Sequence, residues 1–219
     1  VPTPDFALYL VTDRTQTQGR DLLWVLEQAL DGGARAVQLR EKDLCGKDLF
    51  TLAEKTKLLC DRYNAQLFIN DRIDVALAIG VAGVQLGKDS IPVDVARALL
   101  GPNSIIGVST HSPEEAQKAE QSGADFLLFG PVFFTPSKAR YGAPQGLAAL
   151  QKTLAKTSLP VYAIGGIKAE NVPDLRQALI RGVALISAIL SAADPGKEVK
   201  TLLRLLARQI VAGNRPTSI

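Results

Sequence analysis

A phrase recurs along this chain in which a helix-like segment runs into glycine, a small residue and a short apolar run, and this repetition restricts the fold more than any other feature. It reads Gly32-Gly33-Ala34 before Arg35-Ala36-Val37-Gln38-Leu39, and Gly123-Ala124 before Asp125-Phe126-Leu127-Leu128-Phe129. Variants are Val81-Ala82-Gly83 before Val84-Gln85-Leu86, and Gly182 before Val183-Ala184-Leu185-Ile186. Glycine ends a helix by adopting positive φ. An unbroken apolar run is what a parallel strand covered on both faces looks like. Such runs predict eight strands, at about 7–12, 35–40, 66–70, 83–87, 105–109, 125–130, 160–165 and 183–187. Helical apolar spacing lies between them, at 20–31, 47–63, 112–122 and 168–180. Pro92 and Pro113 suit first helical turns, where a missing N–H is tolerated. Strict βα alternation over 219 residues predicts an α/β fold, a (β/α)₈ TIM barrel with phosphate-binding sites at the carboxyl ends of its strands. Residues 1–219 then form a single domain, with 213–219 as a frayed tail.

Charge and composition exclude other classes. With 25 basic and 22 acidic residues there is no dense Lys/Arg stripe, so no nucleic-acid partner is expected. No apolar stretch is long enough to span a bilayer, and Val1-Pro2-Thr3-Pro4-Asp5 is not a basic-then-apolar leader. The missing initiator Met points to processing or trimming. Cys45 and Cys60 are too few for a disulfide framework and lack metal-ligand spacing, which predicts buried free thiols in a cytoplasmic protein.

In a (β/α)₈ barrel, residues just beyond each strand share one face. After strand 2, Gln38, Arg40 and Lys42 alternate on one side, where a planar guanidinium and an ammonium suit phosphate; a solvated strand end reads equally well. After strand 3, Asn70-Asp71 offers either a helix cap or a hard oxygen ligand for Mg²⁺. Strand 5 ends in Ser109-Thr110-His111, holding the chain's one histidine, a structural group or a catalytic one; Ser112 begins a capping box with Glu115. The loop after strand 6, with Thr135, Ser137 and Lys138, reads as a lid over an anion. Gly165-Gly166 after strand 7 and Ile186-Ser187 after strand 8 let backbone N–H groups approach a phosphate, so substitution of Gly166 by Val is expected to impair binding at that subsite more than elsewhere in the mouth.

Together these phrases, from Tyr9-Leu10-Val11-Thr12-Asp13 to Ser187-Ala188-Ile189, resemble the thiamine phosphate synthase and thiazole tautomerase family. The resemblance implies a transferase that joins hydroxymethylpyrimidine diphosphate to hydroxyethylthiazole phosphate and releases pyrophosphate, with small-molecule partners and Mg²⁺ as cofactor. It is compatible with a homo-oligomer. It would place Gln38, Arg40, Lys42, Asn70, Ser109, Thr135, Ser137 and Lys138 on the diphosphate or pyrimidine, and Gly165, Gly166, Ile186 and Ser187 on the thiazole phosphate. Arg40, Lys138, Ser109 and His111 would be the catalytic set. Asp71 would hold Mg²⁺.

One departure concerns the turn Gly87-Lys88-Asp89-Ser90, where the family's second metal carboxylate aligns with Ser90, with Asp89 one residue earlier. Gln85 and Ser90 look like the tautomerase branch, in which His111 would move a proton. The diphosphate-binding complement favours the synthase. A non-catalytic sensor of thiamine intermediates is a third reading.

Overall fold

The computed structural model describes residues 4–136 and 142–213. Eight parallel strands close in sequence order: β1 (Leu8–Val11), β2 (Ala36–Leu39), β3 (Gln66–Asn70), β4 (Gly83–Leu86), β5 (Ile105–Thr110), β6 (Phe126–Phe129), β7 (Val161–Ile164) and β8 (Gly182–Leu185), with β8 pairing back onto β1. All eight expected strands are present. The outer layer comprises α1 (Leu22–Asp31), α2 (Gly46–Arg62), α3 (Ile73–Ile79), α4 (Val93–Leu100), α5 (Pro113–Gln121), α6 (Gly146–Leu154), the short α7 (Ser187–Leu190) and α8 (Pro195–Gly213).

The outer layer follows the sequence period. In α1, Leu22, Val25, Leu26, Ala29 and Leu30 are buried, one stripe at i, i+3, i+4, i+7 and i+8 against the sheet. Asp21 caps this helix by accepting from the Trp24 N–H at 2.9 Å. Pro113 occupies the first turn of α5 as expected, whereas Pro92 sits one position ahead of its helix.

The expected helix over 168–180 is not formed; a 3₁₀ helix at Val172–Gln177 stands in its place. Pro173 removes a donor there. Asn171, instead of capping an α-helix, ties the segment backwards: its amide accepts from Lys168 N at 2.9 Å and donates to Gly166 O at 2.8 Å.

The glycine phrase has two physical meanings. Gly33 and Gly123 end helices at φ +108° and +92°, where a side chain would be strained. Gly83 and Gly182 instead begin strands, and a Cβ there would lie 1.8 Å from Ile105 O and 2.2 Å from Ala7 O. These two are required by strand approach, and at β4 the helix is ended by Gly80.

Inside the barrel, Phe126 meets Phe6, Tyr9, Phe68 and Tyr162 at ring-centroid distances of 5.9, 5.7, 5.7 and 5.5 Å. The Tyr162 hydroxyl donates to Phe6 O at 2.9 Å. This aromatic plug fills the amino-terminal half of the barrel interior, so a ligand can enter only at the opposite mouth. Of the two thiols, Cys60 is buried and its pKa is pushed up to about 12 by that burial. Cys45 is exposed, contrary to expectation, because it lies at the start of α2 with Sγ donating to Asp48. No described helix is long and apolar enough to cross a membrane.

Candidate active site

Above the aromatic plug the inward-facing residues become polar. Register places Gln38 beside Phe68, Asn70 beside Gln85, and Gln85 beside Gly107. A Cβ at Gly107 would lie 2.3 Å from the Phe126 ring and 2.4 Å from Gln85 Oε1, so this glycine leaves the room that both side chains use. Gln85 donates through Nε2 to Ser109 Oγ at 3.2 Å. Gln38 Nε2 and Gln85 Oε1 are buried without a hydrogen-bond partner among the described residues. An unserved buried amide group costs about 1–3 kcal/mol, which makes both natural contacts for a polar ring.

The loop after β2 is fixed from the side of β1. Thr12 N donates to Gln38 O at 2.9 Å, and Thr12 Oγ1 accepts from Arg40 N at 2.8 Å. Beyond it, Asp13 caps a 3₁₀ turn at Arg14–Gln16. Partial burial works against ionised Asp13, but bonds from Thr15 and Gln16 and the nearby Arg40 charge hold its carboxyl below the ordinary value. Arg40 is half-buried and Lys42 exposed, while Leu39, between Gln38 and Arg40, packs into the outer core, as the period-2 reading expects.

Asp71 is not a helix cap. The residue preceding α3 is Arg72, and Asp71 adopts φ +60°, a left-handed conformation uncommon for a residue with a side chain. Its backbone N–H donates to Gln85 O at 3.0 Å. Its carboxylate accepts from Asn70 Nδ2 at 2.7 Å and from the Ser90 hydroxyl, which in turn accepts from Gly87 N at 2.6 Å. Ser90 therefore stands against Asp71, and Asp89 points into solvent.

His111 is held at both ends. Its N–H donates to Glu115 Oε2 at 2.7 Å, and Ser112 caps α5 through Glu115 N at 3.1 Å. Its Nδ1 meets Gly130 O; since a carbonyl only accepts, Nδ1 carries the proton there and Nε2 is the free ring nitrogen.

After β7, Gly165 and Gly166 have φ +96° and +66°. They do more than open a backbone cradle. Val132 N donates to Ile164 O at 2.9 Å and Phe133 N to Gly165 O at 3.0 Å, so the base of the loop after β6 is bonded to this turn. A Cβ on Gly166 would lie 2.4 Å from Phe134 O and 2.9 Å from Phe133 C. A side chain there would therefore also displace the loop leading to Thr135, beyond the subsite expected to suffer most. Ile186 precedes α7 and Ser187 opens it, exposed; intrahelical bonding begins with Ile189 N to Ile186 O, ahead of which the first N–H groups have no helical partner. Ser137 and Lys138 lie outside the described residues.

Sequence reading overlooked Thr12, Arg14 and Glu41. The alternating charges of Arg40-Glu41-Lys42-Asp43 were a signal that partners for the acids had to be found elsewhere.

A model of the thiamine monophosphate synthase family matches residues 8–189 of this chain. The chain is 53% identical over 202 residues to a Geobacter sulfurreducens protein named provisionally as a thiamine-phosphate synthase, covering 92% of this chain and 95% of that one. It is 41% identical to a thiamine-phosphate synthase of Clostridium novyi, with 92% and 98% covered. Among solved structures, thiamine phosphate pyrophosphorylase from Pyrococcus furiosus superposes with a TM-score of 0.85 at 36% identity, over 94% of this chain and 98% of that chain. By a match that spans the barrel from β1 to α7, the chain belongs to the thiamine monophosphate synthase family.

Proposed function

We propose that this chain is a thiamine-phosphate synthase, transferring the pyrimidinylmethyl group of hydroxymethylpyrimidine diphosphate to the ring nitrogen of hydroxyethylthiazole phosphate. The observation that carries this reading is the gathering at one barrel mouth of Arg40 and Lys42, whose side chains make no ion pair among the described residues, the Asn70–Asp71–Ser90 oxygen cluster, and the buried amides of Gln38 and Gln85. Charge, hard oxygen and a polar edge are what a pyrimidine diphosphate needs. The synthase names of its relatives support joining over the isomerisation of a thiazole carboxylate.

In this reading the methylene carbon–oxygen bond breaks, pyrophosphate leaves with the electron pair, and the thiazole nitrogen attacks the carbon. Arg40 and Lys42 stabilise the charge that develops on the leaving group, with Lys138, Ser137 and Thr135 assigned to the same task. Gln38, Ser109 and Gln85 orient the pyrimidine. Gly165, Gly166, Ile186 and Ser187 receive the thiazole phosphate. His111 orients substrate and need not act as a base, because bond breaking here depends on the leaving group.

The oxygen cluster fits Mg²⁺. No group of three His, Cys, Asp or Glu able to cage a metal occurs among the described residues, and Mg²⁺ usually takes one or two carboxylates and completes its shell with water and phosphate oxygens. Asp71 would hold it, with the Ser90 hydroxyl as a neutral neighbour. When bound, the ion neutralises diphosphate charge. We read residues 1–219 as one domain working in the cytoplasm.

The test is thiamine phosphate formation from the two substrates with and without Mg²⁺. The expected result is Mg²⁺-dependent turnover that survives His111→Ala. Binding without turnover would mean a sensor, and His111-dependent exchange of a thiazole proton without product would mean a tautomerase.

A further inference from the structure

The segment Arg40-Glu41-Lys42-Asp43 is electrically neutral, two cations alternating with two anions. Left unsorted, it would be a poor anion site, because each cation has a carboxylate next to it. The fold separates them by face. Glu41, with its side chain 2% exposed, receives the Arg14 backbone N–H on its two oxygens at 3.2 and 3.1 Å and the Arg14 guanidinium at 3.1 Å. The same guanidinium makes a paired contact with Asp43 at 2.6 and 2.5 Å. These bonds from Arg14 hold the Asp43 carboxyl below its ordinary value. The third nearby acid, Asp13, is occupied by Thr15 N at 3.1 Å and Gln16 Nε2 at 2.6 Å. The side chains of Arg40 and Lys42 make no hydrogen bond or ion pair among the described residues, and Arg40 acts on Asp13 only through its charge.

We propose that Arg14 is a positioning residue that works by sorting charge: its guanidinium fork draws Glu41 and Asp43 to the far side of the loop after β2, so that neither acid neutralises Arg40 and Lys42 when a diphosphate binds. This rests on the diphosphate reading given above. Only arginine has the geometry, since one planar fork must serve two carboxylates while its own backbone N–H serves one of them.

The experiment is calorimetric titration of the full chain with inorganic pyrophosphate at fixed Mg²⁺. Arg14→Met is expected to weaken binding roughly tenfold, the scale of one lost charged contact, and Arg14→Lys by less. Adding Glu41→Gln and Asp43→Asn to Arg14→Met removes the released anions, and affinity should return to near that of the parent. A role confined to loop shape predicts the reverse, because the triple variant restores no bond. Should thermal melts show Arg14→Met unfolded, Arg14→Lys with and without Asp43→Asn makes the same comparison. Arg40→Ala serves as the control. No loss in that variant sinks the diphosphate reading itself, whereas a loss there combined with an unchanged Arg14→Met, or with no recovery in the triple variant, overturns charge sorting alone.

Discussion

At the scale of single residues, several side chains at this mouth already have their local bonds filled. Asp71 is the clearest case, because its carboxylate is held by Asn70 and Ser90 before any ligand arrives. Replacing the hydroxyl by a second carboxylate, Ser90→Asp, sets two anions against each other where Gly87 N can still be accepted. The variant should melt lower than the parent without metal, gain more from added Mg²⁺, and need less Mg²⁺ for turnover; thermal melts and an Mg²⁺ titration of activity check all three. Arg40→Ala should weaken pyrophosphate by about 1.5–3 kcal/mol with a nearly unchanged melt, because among the described residues its guanidinium makes no hydrogen bond or ion pair. Asp13 gives a pH-dependent case. Its folded carboxyl titrates below the ordinary 3.8, so the fold favours the ionised form, and the stability it adds is present above that value and lost as pH falls through the folded one. Asp13→Ala should therefore cost about 1 kcal/mol at neutral pH, as a lost cap does, with the difference narrowing below pH 3.8 in urea titrations.

Elements bring the two proposed subsites into contact. The turn after β7 and the base of the loop after β6 share two backbone hydrogen bonds and a contact that only glycine permits at residue 166. Gly166→Val should therefore lower the melting temperature, at a cost in stability of about 1–3 kcal/mol for the φ +66° backbone alone, and weaken binding of both substrates. Separate binding measurements for the two substrates check this; a loss confined to the thiazole phosphate with an unchanged melt would show that the loop absorbs the collision. The positive-φ glycines that end helices were legible, being tied to a local conformation. The strand-opening Gly83 and Gly182 were misread as the same device, because their reason is a neighbouring strand that lies remote in sequence. The segment 168–180 failed as a helix for a related cause: its apolar spacing allowed one, but Asn171 bonds to the Gly166 turn.

For the whole molecule, the decisive feature is that one end is plugged and the other is polar. Phe126 touches four other aromatic rings at the centre of that plug. Phe126→Ala should cost about 3–5 kcal/mol in urea unfolding, and it should also loosen Gln85, which shares with the ring the space left by Gly107. The expected sign is a fall in pyrimidine affinity larger than that in thiazole phosphate affinity.

The sequence by itself determined the barrel, because a parallel strand covered on both faces and an amphipathic helix each leave a local periodic trace, and eight repeats of the pair leave few closures. It determined which loops would meet at the carboxyl ends, because that follows from the barrel alone. What it left open was every choice that depends on a partner distant in the chain. Whether Asp71 caps a helix or faces the mouth, whether Asp89 or Ser90 stands against it, and where Glu41 and Asp43, alternating with Arg40 and Lys42, turn were settled by contacts across 19 to 29 residues, with Ser90 reaching Asp71 and Arg14 reaching Asp43. Those contacts exist only once the barrel has closed.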